Sequence, residues 1–206
     1  MGWCPGTVPA YRAALAWVMR SMAITPPAVP LTDGTVSLRY RRDSDWDAIC
    51  AASQDPETLR WLSDPPMDAG ARAAAMARVA EAFRTGRSAP LVIADGATDQ
   101  PIGLINVQFR DRRVPTIAYS VFPAYRGQGV APRAVRLVVD WAFCDLGLRE
   151  LRLEIDPGNI ASLKVAHKCG FEPTGRALSG EQGGPGSSGK LVFAIRKDGS
   201  LTPQER

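Results

Sequence analysis

Apolar and polar positions change period several times along this chain, and each change marks an element. Val36-Ser37-Leu38-Arg39-Tyr40 alternates apolar with polar, the two-residue period of a strand. Asp43 or Ser44 then stands where a helix cap belongs, with a helix expected through about Ser53. Pro56 suits the first turn of a short helix carrying Leu59, Trp61 and Leu62, which Pro65-Pro66 stops. Asp68 opens an Ala-rich helix to about Thr85, closed by Gly86. Strands are expected at 90–94, 102–109 and 114–121, with turns at Asp95-Gly96 and Arg112-Arg113. From 129 to 145 the apolar set Val130, Ala134, Leu137, Val138, Trp141 and Phe143 has a helical period. A strand at 151–155 precedes a helix at 159–168 that Gly170 stops. Residues 171–174 are short and extended, 180–189 form a Gly/Ser-rich loop, and 191–195 are the last strand. The order β-α-α-α-β-β-β-α-β-α-β-β predicts a mixed α/β sheet without internal repeats.

At 206 residues, 45% of them hydrophobic and 22% charged, the chain suits one domain with a full core and a short extra segment. It contains no run of 18 apolar residues, so neither a spanning helix nor a membrane partner is expected. Residues 25–30 are Pro-rich and read as an extended linker. The expected organisation is an extension and linker at 1–34, one folded domain at 35–197 and a tail at 198–206. Within the extension, the Ala-rich stretch 11–22 is broken by Arg12 and Arg20, unlike a secretory signal. It reads as an extra amphipathic helix or a non-native extension, with Met19 and Met22 as alternative starts.

Charge changes this picture little. The net charge is +4, but only Lys164, Lys168, Lys190 and Lys197 are lysines, and the other 21 cations are arginines. Arginine suits phosphate through its planar fork, although a general preference for Arg explains the count equally well. No basic patch carries interleaved aromatics, so no nucleic-acid partner is expected. Cys4, Cys50, Cys144 and Cys169 are scattered, which argues against zinc or a disulfide framework. Cys50, Cys144 and Cys169 read as small core residues, and the expected compartment is a reducing cytoplasm.

The most informative stretch is Val121-Phe122-Pro123-Ala124-Tyr125-Arg126-Gly127-Gln128-Gly129-Val130-Ala131. A strand ends, a Gly-bearing loop follows and a helix begins. Helix N-termini present unpaired N–H groups and a partial positive charge, and glycines let that backbone approach a ligand. Such a junction is an anion site suited to a pyrophosphate. Arg126, Arg133 and Arg136 can add charge, while Pro132 removes one donor. A dinucleotide fingerprint fits poorly because Pro132 takes its third glycine position, and no P-loop string exists. A structural turn with incidental glycines is the plain alternative.

Arg126, Gly129 and Ala131 satisfy R-x-x-G-x-A. Further on, Asn159-Ile160-Ala161-Ser162 opens a helix that ends in Gly170-Phe171. Together, in this order and at this spacing, the two motifs resemble those of the GNAT superfamily of N-acyltransferases over roughly residues 35–197. Trp61-Leu62-Ser63-Asp64-Pro65-Pro66-Met67 before an Ala-rich helix is similar to the branch that acetylates ribosomal-protein N-termini. The resemblance implies about seven mainly antiparallel strands, splayed centrally and flanked by helices. It implies an acetyl or related acyl group moving from acyl-CoA to a primary amine, by direct attack in a ternary complex. The acceptor would be a protein N-terminus, a lysine or a small molecule, and the enzyme a monomer or homodimer without a metal. Cofactor contacts would come from Ser120, Val121, Arg126, Gly127, Gln128, Gly129, Val130, Ala131 and Asn159.

The resemblance also implies catalytic roles. An N–H in the 119–121 strand would serve the oxyanion. Many relatives protonate the departing thiolate with a tyrosine where this chain has Ala166. The ribosomal branch uses a serine, matched by Ser162, which otherwise reads as a helix-capping hydroxyl. Glu181 matches the branch's base in spacing, although the loop after it lacks the expected acidic pattern, and Glu154 is a second candidate. Asn159 would orient pantetheine amides or a water, or simply form a turn. His167, the only histidine, reads as a surface or packing residue. Trp46, Trp61 and Trp141 read as core, with Trp61 also suited to wall an acceptor cleft. Ala166 and the loop after Glu181 leave a non-catalytic acyl-CoA-binding protein as the alternative.

Overall fold

The computed structural model describes residues 27–62, 67, 70, 72–109, 114–176 and 189–197. The 11–22 stretch, Pro65-Pro66, Asp68, the turn at Arg112-Arg113, Glu181 with the loop at 180–188, and the 198–206 tail lie outside the described residues. The strands are β1 (Leu31–Thr32), β2 (Val36–Arg39), β3 (Ser88–Asp95), β4 (Pro101–Gln108), β5 (Thr116–Val121), β6 (Glu150–Ile155), β7 (Glu172–Arg176) and β8 (Leu191–Arg196). The helices are α1 (Trp46–Ser53), α2 (Pro56–Trp61), α3 (Arg72–Arg84), α4 (Val130–Cys144) and α5 (Ile160–Lys168), with 3-10 turns at Asp43–Asp45 and Pro123–Tyr125.

These strands form one sheet in the order β1-β2-β3-β4-β5-β6-β8-β7. Every neighbouring pair is antiparallel except β5 and β6, which run parallel. The sheet thus holds eight strands where the periodicity predicts seven. The extra strand, β1, falls in the stretch read as linker. Its two residues are too few to show a period, yet Leu31 pairs with Leu38 and Thr32 with Ser37. The hairpin is tied locally: Asp33 accepts from the N–H groups of Thr35 and Val36, each at 2.9 Å, and Gly34 supplies a φ of +86°.

Alternation decides what each face of the sheet carries. Val36, Leu38, Leu91, Ile93, Ile105, Val107 and Ile117 point to one face, where they join Val79 and Phe83 of α3. Ala134, Val135, Val138 and Ala142 of α4 close that layer with no exposed surface. Burying each valine contributes about 1.5–3 kcal/mol. On the other face Ile49 and Ala52 of α1 pack with Phe122 and Leu104. Arg39 also projects there and grips Asp45 through two bonds of 2.8 Å, both side chains being almost wholly buried. Of the cysteines, Cys169 is buried, whereas Cys144 is exposed in the last turn of α4, a departure from the core reading.

The Gly-Phe pair after α5 has a mechanical explanation. Phe171 N–H donates to Ala166 O at 3.0 Å, Gly170 N–H to His167 O at 3.1 Å, and Gly170 has φ +78°. This is a left-handed helix stop that swings Phe171 into the core, where it is 2% exposed.

Candidate active site

The site begins where the sheet opens. Between β5 and β6 the one registered pair is Thr116 with Arg152, and Arg152 N–H donates to Pro115 O at 2.9 Å. Beyond that point the strands part toward Val121 and Ile155. Phe122 N–H donates to Ile102 O at 2.9 Å, so alternation turns the Ser120 amide toward β4 as well. The Tyr119 and Val121 amides therefore point away from β4, into the splay. Backbone alternation thus selects two donors from the 119–121 stretch, and Ser120 is not one of them.

Past β5 the chain makes the Pro123–Tyr125 turn and reaches two glycines in left-handed conformation, Gly127 at φ +75° and Gly129 at φ +79°. A Cβ added to either would have no atom within 4 Å, so both face open space. Gly129 is the residue at the N-terminal cap of α4, and Val130 anchors the first turn in the core. The amides from Gly127 to Ala131 thus line an exposed, electropositive helix end. A cleft of about 330 Å³ lies against them, bounded by the α2 face, by Tyr119 to Val121, and by Asn159 to Lys168.

The arginines are already engaged. Arg126 donates to Val121 O at 3.1 Å, Asp55 Oδ2 at 2.6 Å and Thr58 Oγ1 at 2.9 Å. Its guanidinium bolts the loop to the first turn of α2, whose cap is Asp55. Those Arg126 bonds and the Thr58 N–H hold the Asp55 carboxyl below the ordinary carboxylate range. Arg133 pairs with Asp33 at 2.7 Å, and Arg136 donates to Lys168 O at 2.6 Å. Gln128 folds back onto Ala124 O at 2.9 Å and does not line the cleft. Besides Arg126, the cations that line the cleft among the described residues are Lys164 and Lys168 of α5, which composition alone did not single out.

On the other wall, Asn159 caps α5 by accepting from Ser162 N–H at 3.0 Å. Ser162 and Tyr119 both line the cleft. The Tyr119 hydroxyl is buried and makes no hydrogen bond of ordinary geometry. Burial pushes its phenol up to about 12, and the nearby Ser162 hydroxyl offsets part of that rise. Ala166 is fully buried. Glu154 is exposed on β6 and does not line the cleft. His167 packs edge-on to Phe193 with ring centres 5.5 Å apart. Trp46 and Trp141 are core, whereas Trp61 is half-buried at the cleft.

Residues 35–172 match the acetyltransferase (GNAT) domain family. The chain belongs to the GNAT acetyltransferases. It is 41% identical over 61 residues to "Probable N-acetyltransferase YjcK" of Bacillus subtilis, covering 30% of this chain and 34% of that one. It is 30% identical over 88 residues to the spermidine N(1)-acetyltransferase of Escherichia coli, covering 43% and 47%. The chain therefore spans between a third and a half of the curated relatives it matches. The ribosomal-protein-S5-alanine acetyltransferase of Vibrio fischeri superposes with a TM-score of 0.65, covering 82% of this chain and 97% of that one. At 19% identity, that likeness speaks for the fold. The GNAT domain places its glycine turn, Asn159 and Ser162 on one cleft, while Glu181 lies outside the described residues.

Proposed function

We propose that this GNAT domain transfers an acetyl or related acyl group from acyl-CoA to a primary amine, by direct attack within a ternary complex. One observation carries the reading: the left-handed Gly127 and Gly129, each with open space at its Cβ position, bring the N-terminus of α4 to the wall of a cleft that also reaches Tyr119 to Val121 at the β5–β6 splay. Donors on a helix end suit the diphosphate. The Tyr119 and Val121 amides suit the pantetheine arm or the thioester oxygen. Lys164 and Lys168 add positive charge on the same side. Gly127, Gly129, Val130 and Ala131 are the backbone contacts of this reading. Arg126 acts by fixing the loop against α2.

The chemistry asks for a neutral amine, a stabilised oxyanion and a protonated thiolate. A lysine, with a pKa near 10.4, needs more help from a base than an α-amine near 7.7–8.0. Ser162 lines the cleft, with the Tyr119 hydroxyl behind it, and is the hydroxyl we assign to the departing sulfur. Glu181 remains our candidate base, by sequence spacing. The acceptor is a protein N-terminus, a lysine or a small amine.

Incubation with acetyl-CoA and an amine panel, following free thiol, tests the proposal. Amine-dependent thiol release is expected. Acyl-CoA binding without release under any amine would favour a binding protein and refute catalysis.

A further inference from the structure

The cleft is electrically lopsided. Among the described residues that line it, Glu57 is the single carboxylate. It sits on α2, one turn before Trp61, whereas Lys168 stands at the far end of α5. Trp61 ties that end down: an added Gly158 Cβ would stand 3.5 Å from the indole Cη2, so α2 abuts the turn that leads into α5. Lys168 closes α5, nine residues long, so it lies roughly 14 Å further on at about 1.5 Å per residue. There its carbonyl accepts from Arg136 of α4, and the neighbouring Cys169 thiol donates to Pro132 O. The cationic end thus adjoins the glycine turn. The Arg126 charge is met by Asp55, and among the described residues Glu57 is in no ion pair.

Glu57 is also held in place. Its Oε1 accepts from Trp61 Nε1 at 2.7 Å, one helical turn on. The Arg60 guanidinium lies over the indole, 4.6 Å from the ring centre, and the ring edge adjoins Gly158. A carboxylate oriented by that indole and set away from Lys168 suits a cation. The reacting nitrogen must be neutral to attack, so that cation is a second charge on the acceptor.

We propose that Glu57 selects acceptors: the preferred substrate is an aliphatic amine that carries a further ammonium group beyond the reacting nitrogen. This rests on the acyltransferase reading above and adds the acceptor's charge to it. Glu57 binds that remote ammonium and takes no proton from the reacting one. Because Glu57 is exposed, the effect is moderate, about three- to fivefold.

The test compares an alkyl diamine with the alkyl monoamine of equal length, using the full chain with acetyl-CoA. The wild type should favour the diamine in kcat/KM, and the preference should shrink as salt rises. Glu57→Gln should reduce kcat/KM on the diamine about three- to fivefold more than on the monoamine, through KM. Glu57→Asp should restore part of the difference. A preference unchanged in Glu57→Gln would overturn the proposal while leaving the transferase reading intact. Equal loss of kcat on both amines would make Glu57 the base and would also overturn it. Absence of thiol release with either amine in the wild type would overturn both readings together. Thermal midpoints of each variant identify any loss that comes from folding.

Discussion

Replacing Gly129 with alanine separates the backbone role of the turn from its ligand role. The residue has φ +79°, and an added methyl would meet no atom within 4 Å. No clash arises, so the cost in the free protein is conformational. A left-handed non-glycine residue costs about 1–2 kcal/mol, and reduced freedom of the unfolded chain offsets about 0.4–1 kcal/mol of it. A net loss of about 1 kcal/mol lowers the melting temperature by about 2–4 °C in a domain of this size. The ligand effect is larger. The methyl projects into the open space at Gly129, on the cleft wall that Gly127, Val130 and Ala131 share. Losing one hydrogen bond to a charged group there costs about 1.5–3 kcal/mol, tenfold or more in affinity. At acetyl-CoA equal to 100 times the wild-type Kd, the wild type gains about 2.7 kcal/mol and the variant about 1.4 kcal/mol or less. Thermal melting with and without acetyl-CoA reads both numbers. A variant that loses 2–4 °C yet keeps the full ligand-induced shift would refute the placement of the diphosphate at this turn.

Three further outcomes follow from other parts of the molecule. At Gly103 an added Cβ would lie 2.6 Å from Ser120 O, so Gly103→Ala should drive β4 from β5, lowering both the melting temperature and acyl-CoA affinity. Burial alone would raise the Asp45 carboxyl, but Arg39 and the Arg42 N–H outweigh it and hold it low. A depressed carboxylate stabilises the fold above its unfolded value near 3.9 and loses that contribution as pH falls through the folded value. Melting temperature should therefore drop below about pH 4, and Asp45→Asn should cost about 3–5 kcal/mol while flattening that acid limb. In an ultraviolet titration one phenol should ionise near 12, and Tyr119→Phe should remove that step. A retained step would place the raised phenol elsewhere.

Elements with strong local signals were legible in the sequence. The helix read at 129–145 is α4 (Val130–Cys144), because eight buried residues on one side impose its period. The strand at 151–155 and the helix at 159–168 likewise correspond to β6 and α5 within a residue. The glycine turn was legible because left-handed residues before a helix leave a mark that few other residues can make. β1 was not, since two residues have no period. Sheet order was not either: the insertion of β8 between β6 and β7 depends on long-range pairing such as Leu151 with Ile195. Within the site, the Arg126 motif was visible but its partner was not. Asp55 lies 71 residues away, and only the fold shows that the guanidinium braces α2. Glu57, Lys164 and Lys168 are unremarkable in sequence and become notable only because two helices bring them to one cleft. Cys144 illustrates the opposite error: apolar neighbours suggested burial, but its position in the last turn of α4 leaves it exposed.

Acyl-CoA binding at this cleft requires that the amides between Gly127 and Ala131 receive its diphosphate. Amide hydrogen exchange, measured with and without saturating acetyl-CoA, reports on those groups themselves. Slowed exchange across 121–133, with β2 and β3 unchanged, is the predicted result. Saturated binding that leaves 121–133 exchanging at its free rate would contradict it.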